Sequence, residues 1–302
     1  MKRARARTTA GAVVEGTYED GIVRTDSSSY TVGEDATLLA PCEPSACYCV
    51  GRNYAATLEQ MAYERPAEPD FFIKPPVSVI GPNEPITYPT FTTELTYAGE
   101  LAAVVGERCS RVEPTAVPDV LAGYTVMNDL DALDQPGRTA RKAFDGSAPL
   151  GPWIETDLDP RSLDMQTTID GEVRQEANTA SMLFDPFSVV SFLSERFTLQ
   201  PGDVIAFGSP ANPGLIEPGD EIEIWYEGIG TLVNVVEASE LRWFGHRARF
   251  AVDRSRIRVS LPPFGDWGRQ VGRRGVVPSG LPDGWFSVRY RAEASECGER
   301  MR

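Results

Sequence analysis

Gly123-Tyr124-Thr125-Val126-Met127-Asn128-Asp129, taken with Glu100-Leu101-Ala102-Ala103-Val104-Val105, decides how this chain is read. Each is a short apolar run that suits a buried strand better than a helix, and each carries an acid at its edge. Glu100 opens the first run and Asp129 closes the second. A carboxylate beside a core must be paired or must hold a cation, because leaving it buried alone costs several kcal/mol. Residues 91–106 and 123–130 are therefore expected to be buried strands whose acids form structural ion pairs or a metal site. For strand-end acids in isolation, the ion pair is the stronger reading.

Outward from these runs, strand signals dominate up to about residue 237. Gly21-Ile22-Val23 and Tyr30-Thr31-Val32 alternate, and so does Asp220-Glu221-Ile222-Glu223-Ile224-Trp225, as a strand with one wet face does. Thr167–Val173 is expected to be a hairpin, since Asp170-Gly171 favours a two-residue turn with positive φ. Helices are few. Asp185 can cap one that starts at Pro186 and runs to about Phe197, and Pro118–Leu121 suits a further turn. The fold class is mainly β, with α+β character and short helices.

The 302 residues are 41% hydrophobic, enough for a well-buried core. The net charge is −15, and only Lys2, Lys74 and Lys142 are lysines among 29 basic residues. Such a surface argues against a nucleic-acid partner and fits a protein that stays soluble in high salt. A GC-rich genome also replaces Lys by Arg, but it does not explain the acid excess. The five cysteines are odd in number and form no CxxC pair, which fits a reducing cytoplasm. No apolar run approaches the roughly 20 residues that span a bilayer, so no membrane partner is expected.

Charge divides the chain. Residues 238–302 hold thirteen arginines against seven acids, a net of +6, which leaves −21 on residues 1–237. The basic segment also holds three of the five tryptophans and the single histidine, His246. An accessory domain, a basic interaction arm and an extension of the reading frame all remain open for it.

Eight segments then occur in one order: Cys49-Val50-Gly51-Arg52-Asn53-Tyr54, Phe72-Ile73-Lys74-Pro75, Tyr97-Ala98-Gly99-Glu100-Leu101, Gly123 to Asp129, Lys142-Ala143-Phe144-Asp145, Pro149-Leu150-Gly151-Pro152-Trp153, Pro201-Gly202-Asp203-Val204-Ile205 and Gly230-Thr231-Leu232-Val233-Asn234-Val235. Together they resemble the successive motifs of the fumarylacetoacetate hydrolase family over residues 46–237, with a small β subdomain at 1–45 before them. The resemblance implies a mixed β-sandwich roll, usually a homodimer, that cleaves, decarboxylates, isomerises or dehydrates small oxo acids. It also implies Mg²⁺ or Mn²⁺ held by a Glu-x-Glu pair and an Asp. Hard oxygen ligands suit such an ion, which stabilises an enolate.

On that pattern Glu100 is the second Glu and Asp129 the Asp, while the first Glu is replaced by Ala98. Asp131, two residues beyond Asp129, is a substitute ligand if the strand continues. Lys142 matches the lysine that approaches the substrate oxo group. Composition supports it, because a chain that has lost nearly all its lysines keeps those that Arg cannot replace. Lys74, Ser209, Asn53 and Tyr54 are expected to contact substrate.

Three departures accompany the match. The His-Glu pair that activates water in hydrolytic members is Thr57 and Gln60, with Glu59 alongside as a candidate base. The arginine of an Ala-Arg-Asp triplet, which would grip a substrate carboxylate, is Leu133; Arg138 and Arg141 are candidates for the same anion. The Gly-Thr-Pro near the site is Gly208-Ser209-Pro210. The expected function is metal-assisted enolate chemistry on a small oxo acid. Its alternative is a catalytically degenerate protein of the same fold with a binding or structural role.

Overall fold

A computed structural model describes residues 1–239 and the backbone of two short paired strands, Arg242–Trp243 and His246–Arg247. Nearly all of the basic segment therefore lies outside the described residues. Every described strand and helix belongs to the unit Met1–Arg249.

Strands make most of the structure. The Gly99–Val105 strand is buried along its whole length and sits between Leu121–Asn128 and Val204–Ala206, antiparallel to both. Val204–Ala206 runs parallel to Cys47–Gly51, which pairs in turn with Asp70–Lys74. On the other side Leu121–Asn128 pairs with Ala148–Glu155. There Lys2–Thr8 joins through Lys2 opposite Glu155, so the N-terminal hairpins are hydrogen-bonded into the same twelve-stranded sheet.

Alternation divides this sheet into two faces. Leu101, Ala103, Val105 and Val126 pack against Ile222, Ile224, Leu232 and Val236 of a five-stranded sheet and against Val189, Val190 and Leu193 of a helix. Ala102, Val104, Met127, Leu150 and Ala206 form a second core with Cys47 and Cys49 on the reverse face. Each fully buried aliphatic side chain contributes about 1.5–3 kcal/mol. The helix is Pro186–Arg196, and Asp185 accepts from the N–H groups of Phe187 and Ser188 at its start. Asp170 and Gly171 take φ of 51° and 77°, which closes the expected hairpin with Ile169 opposite Glu172.

The stretch expected as one strand over 91–106 is two. Leu95–Tyr97 pairs with Asp131–Ala132 in a three-stranded sheet, whereas Gly99–Val105 belongs to the large one. At the junction Asn128 Oδ1 accepts from Ala98 N (3.0 Å) while Ala98 O accepts from Asp129 N (2.9 Å), so a side-chain amide replaces a ladder partner. Residues 91–94 lie outside the strand because Asp134 takes hydrogen bonds from Thr92 Oγ1 (2.6 Å) and Thr93 N (2.9 Å). Two helices carry no sequence signal that revealed them. Ala55–Met61 and Arg138–Lys142 have no side-chain caps and are placed by tertiary contacts. None of the described helices is long and apolar enough to cross a membrane.

Candidate active site

Where the two antiparallel ladders change sheets, both strands present every second residue to one cavity. Thr96, Ala98 and Glu100 line it from one side, and Asp129, Asp131 and Leu133 from the other. The cavity measures about 290 Å³ and is completed by Thr57, Gln60, Met61, Phe72, Ser209 and Pro210, with Arg52, Arg138, Arg141 and Lys142 as its cations.

Its floor is an ion cluster. Asp129 Oδ2 accepts from Lys142 Nζ at 2.5 Å, and Lys142 also stands 3.3 Å from Asp131 Oδ2. Lys74 Nζ lies 2.9 Å from Asp129 Oδ1, yet its three protons are directed at the carbonyl oxygens of Leu130 (3.0 Å), Lys142 (2.7 Å) and Ser147 (2.8 Å). Asp129 Oδ1 therefore shares the Lys74 ammonium with three backbone carbonyls, as Oδ2 takes that of Lys142. Burial alone would raise the Asp129 pKa, but Lys142 and Lys74 outweigh it and hold the carboxyl below its ordinary value. Burial would likewise lower Lys142, and Asp129 and Asp131 reverse that, so the ammonium stays charged. Glu100 is different. Burial, and then the Asp129 charge, push it well above the ordinary carboxylate range, with Gly208 N donating to Oε2 at 3.0 Å. Gly208 has φ of 94°, and a Cβ there would meet Val50 O and Asn53 Cβ at 3.0 Å, so only glycine brings this N–H to Glu100.

Several expected site residues have other partners in the structure. Asp131 does not offer a free carboxylate, because Arg141 binds both its oxygens, Nε at 2.8 Å and Nη2 at 2.6 Å. Among the described residues no group of three or more His, Cys, Asp or Glu is gathered as a metal site. Lys74 is wholly buried and does not line the cavity; its donors are consumed by backbone. Asn53 does not face the cavity either. Its amide donates to Phe207 O (2.8 Å) and Phe184 O (3.0 Å) and accepts from Phe184 N, which locks two loops together. Tyr54 is buried at the start of the Ala55–Met61 helix. That helix turns Thr57, Gln60 and Met61 to the cavity, and Glu59 is exposed off that face, away from the role of base.

Ser209 lines the cavity as expected, with its hydroxyl held by Gln175 Nε2 at 2.9 Å. Sequence reasoning missed Gln175. It also donates to the carbonyls of Pro210 and Ala211 and accepts from Gly99 N (3.1 Å), tying the 209–211 loop to the strand that carries Glu100. Nothing in the sequence marks it; in the structure it is the one buried residue of the Glu172–Asn178 strand. Thr57 Oγ1 donates to Ser209 O (3.0 Å), and Gln60 exchanges hydrogen bonds with Asn212, so this wall is neutral and internally satisfied.

Known proteins agree with this architecture. The family model for fumarylacetoacetate (FAA) hydrolase C-terminal domains matches residues 46–237. The chain belongs to the fumarylacetoacetate hydrolase family. It is similar to 5-carboxymethyl-2-hydroxymuconate delta-isomerase from Mycobacterium smegmatis, whose crystal structure superposes with a TM-score of 0.74 at 38% identity over 79% of this chain and 99% of that one. It is 34% identical to the mitochondrial oxaloacetate tautomerase FAHD1 of Bos taurus over 64% of this chain and 91% of the relative. Maleylpyruvate hydrolase from Sphingobium sp. SYK-6, solved with manganese(II) ion and pyruvate, matches with a TM-score of 0.68 at 26% identity, covering 80% of this chain and 100% of that one.

Proposed function

We propose that this chain is an enzyme that forms or protonates an enolate of a small oxo acid, by tautomerisation or decarboxylation in preference to hydrolysis. The observation that carries this reading is the charged Lys142 ammonium held at the floor of a cavity that contains Glu100 and Asp129. A fixed cation beside the substrate's oxo oxygen lowers the cost of the negative charge that develops there. Hydrolysis needs a base to activate water as well. At the two positions where hydrolytic members carry His and Glu, this chain turns neutral Thr57 and Gln60 to the cavity, both already hydrogen-bonded.

The donor set fits a divalent cation held by two carboxylates and water. Asp129 and Glu100 line the cavity from two neighbouring paired segments, and Mg²⁺ commonly takes only one or two protein carboxylates. Such an ion, when bound, supplies a Lewis acid for the substrate's carboxylate and oxo oxygens. Lys142 orients the oxo group, Ser209 offers a hydroxyl, and the apolar Phe72, Met61 and Leu133 restrict water. A homodimer is part of the same reading, and exposed Val77, Phe91 and Leu215 are candidates for its contact.

The non-catalytic alternative rests on Ala98 and on Asp131 being consumed by Arg141. Keto–enol exchange of oxaloacetate, followed with Mn²⁺ and again in EDTA, separates the two. Turnover that Lys142→Arg removes while Mn²⁺ binding persists supports the enzyme. Mn²⁺ binding without turnover of any oxo acid supports the alternative, and equal turnover in EDTA rejects the role of the cation.

A further inference from the structure

Gln175 is buried where the spacing of its strand would leave it outside. Val173 on the same strand is 50% exposed, and in a regular strand a residue two positions on shares that face. The pairing with Asp164–Ile169 is not regular. Thr167 stands opposite Gln175 while Thr168 stands opposite Val173, so Arg174 is the extra residue of a bulge. Gln175 is thereby turned inward, into one row with the buried Thr167, Ile224 and Leu232. Bulges beside a site commonly re-aim a side chain in this way.

The amide that the bulge delivers has one chemically sensible orientation. Gly99 N can only donate and lies 3.1 Å away, with Thr167 Oγ1 also donating at 3.1 Å, so Oε1 faces these two groups. Pro210 O (3.2 Å) and Ala211 O (3.1 Å) can only accept, so the NH₂ faces the 209–211 loop. The shortest of these bonds runs from Nε2 to Ser209 Oγ, at 2.9 Å. Ser209 Oγ is therefore an acceptor towards the amide and keeps its own proton. Inside the protein that proton has the Pro210 carbonyl at 3.2 Å, an oxygen that Gln175 already serves, and otherwise the cavity. The same amide holds both supports of Glu100. Gly99 precedes Glu100 in its strand, and Gly208, next to Ser209, donates its N–H to Glu100 Oε2.

We infer that Gln175 is a positioning residue: it holds Ser209 as a hydrogen-bond donor aimed into the cavity, so that Ser209 meets an acceptor oxygen of the ligand at a fixed offset from Glu100. The inference rests on the oxo-acid function proposed for this cavity and deepens it. A serine free to rotate offers either a donor or an acceptor. One whose oxygen is engaged by a buried amide offers the donor, and a polarity set before the ligand arrives needs no ordering when it binds.

A double-substitution cycle tests this on the full chain with Mn²⁺ present and oxalate as the probe, a small dianion whose oxygens only accept. Calorimetry is expected to show Gln175→Met and Ser209→Ala each weakening oxalate by about tenfold, the worth of a hydrogen bond to a charged group. In the double variant the loss should match that of Ser209→Ala alone to within about twofold, because without the hydroxyl the amide has nothing to aim. Ser209→Ala leaves the amide protons to the Pro210 and Ala211 carbonyls, so the loop stays held in that background. A residue that merely staples the loop would weaken oxalate by the same factor with or without the hydroxyl. Gln175→Glu keeps the side chain's shape and the acceptor for Gly99, and it takes the place of Gln175→Met in the cycle if that variant does not fold. As an acid it has one proton for the three acceptors, and as a carboxylate it captures the Ser209 proton. Losses that multiply, or either single substitution without a loss, overturn the role of Gln175 and leave the oxo-acid reading standing. An unmodified protein that does not bind oxalate with Mn²⁺ overturns both.

Discussion

The floor and the rim of the cavity are built from the same kinds of side chain and behave differently. On the floor Asp129 and Lys74 are buried and Lys142 is mostly so, and each charge is matched at 2.5–3.0 Å by a charge or a carbonyl. At the rim the side chains of Arg138, Arg52 and Asp70 are 39%, 42% and 31% exposed, and the charges do not cancel. Burial explains the contrast. An unpaired charge on the floor has no water to fall back on, whereas a surplus guanidinium at the rim is solvated until a ligand replaces the water. A balanced floor is therefore suited to holding geometry, and an unbalanced rim to selecting what enters.

The largest effect expected from this comparison is at Asp129. Asp129→Asn keeps the shape and strands two buried ammonium groups, at a cost of about 3–5 kcal/mol by the usual penalty for breaking a buried pair. Urea unfolding measures it, and a variant within about 0.5 kcal/mol of the parent would mean that the floor is hydrated. Next is Ala98→Glu. Ala98 shares the cavity face with Glu100, so an added carboxylate should raise Mn²⁺ affinity on the order of tenfold, about 1.4 kcal/mol. Mn²⁺ titration with and without the substitution reads this out, and unchanged affinity would place the ion elsewhere.

Arg138→Gln removes one of the two guanidinium groups on Asp70. Because the pair is at the rim, unfolding stability should fall by less than about 1 kcal/mol. A stability loss as large as that of Asp129→Asn would erase the distinction between floor and rim. The smallest effect is a pH response at the outer loop. Thr92 and the Thr93 N–H hold Asp134 down to about 2. The unfolded chain takes up protons there first. The contribution is thus full above the ordinary Asp value and lost as pH falls from about 4 to about 2. Asp134→Asn should flatten that limb of an acid denaturation curve, and an unaltered limb would show that the 92–94 loop is held by other contacts.

Sequence legibility followed the same division. Residues 91–106 and 123–130 were expected to be buried strands carrying acids, and the structure places Glu100 and Asp129 in one cavity. The Asp170-Gly171 turn and the Asp185-capped helix were legible because the signal and the structure lie within a few residues of each other. The Ala55–Met61 helix was not, as its hydrogen bonds reach Ser209 and Asn212 some 150 residues away. The partners of Asp131 and Lys74 were not legible for a related reason. Residue type and spacing marked them as chemical, but whether a charge is free depends on who else is buried beside it.

The sequence by itself determined the family, the strand content and the position of Glu100, Asp129 and Lys142, since period-two alternation and ordered motifs are local patterns. Only the tertiary structure decided that Asp131 belongs to Arg141, that Lys74 serves three carbonyls, and that Arg138 and not Arg52 grips Asp70. Charge pairing across a fold is settled by distances of a few ångströms between residues remote in the chain, and spacing along the chain does not encode them.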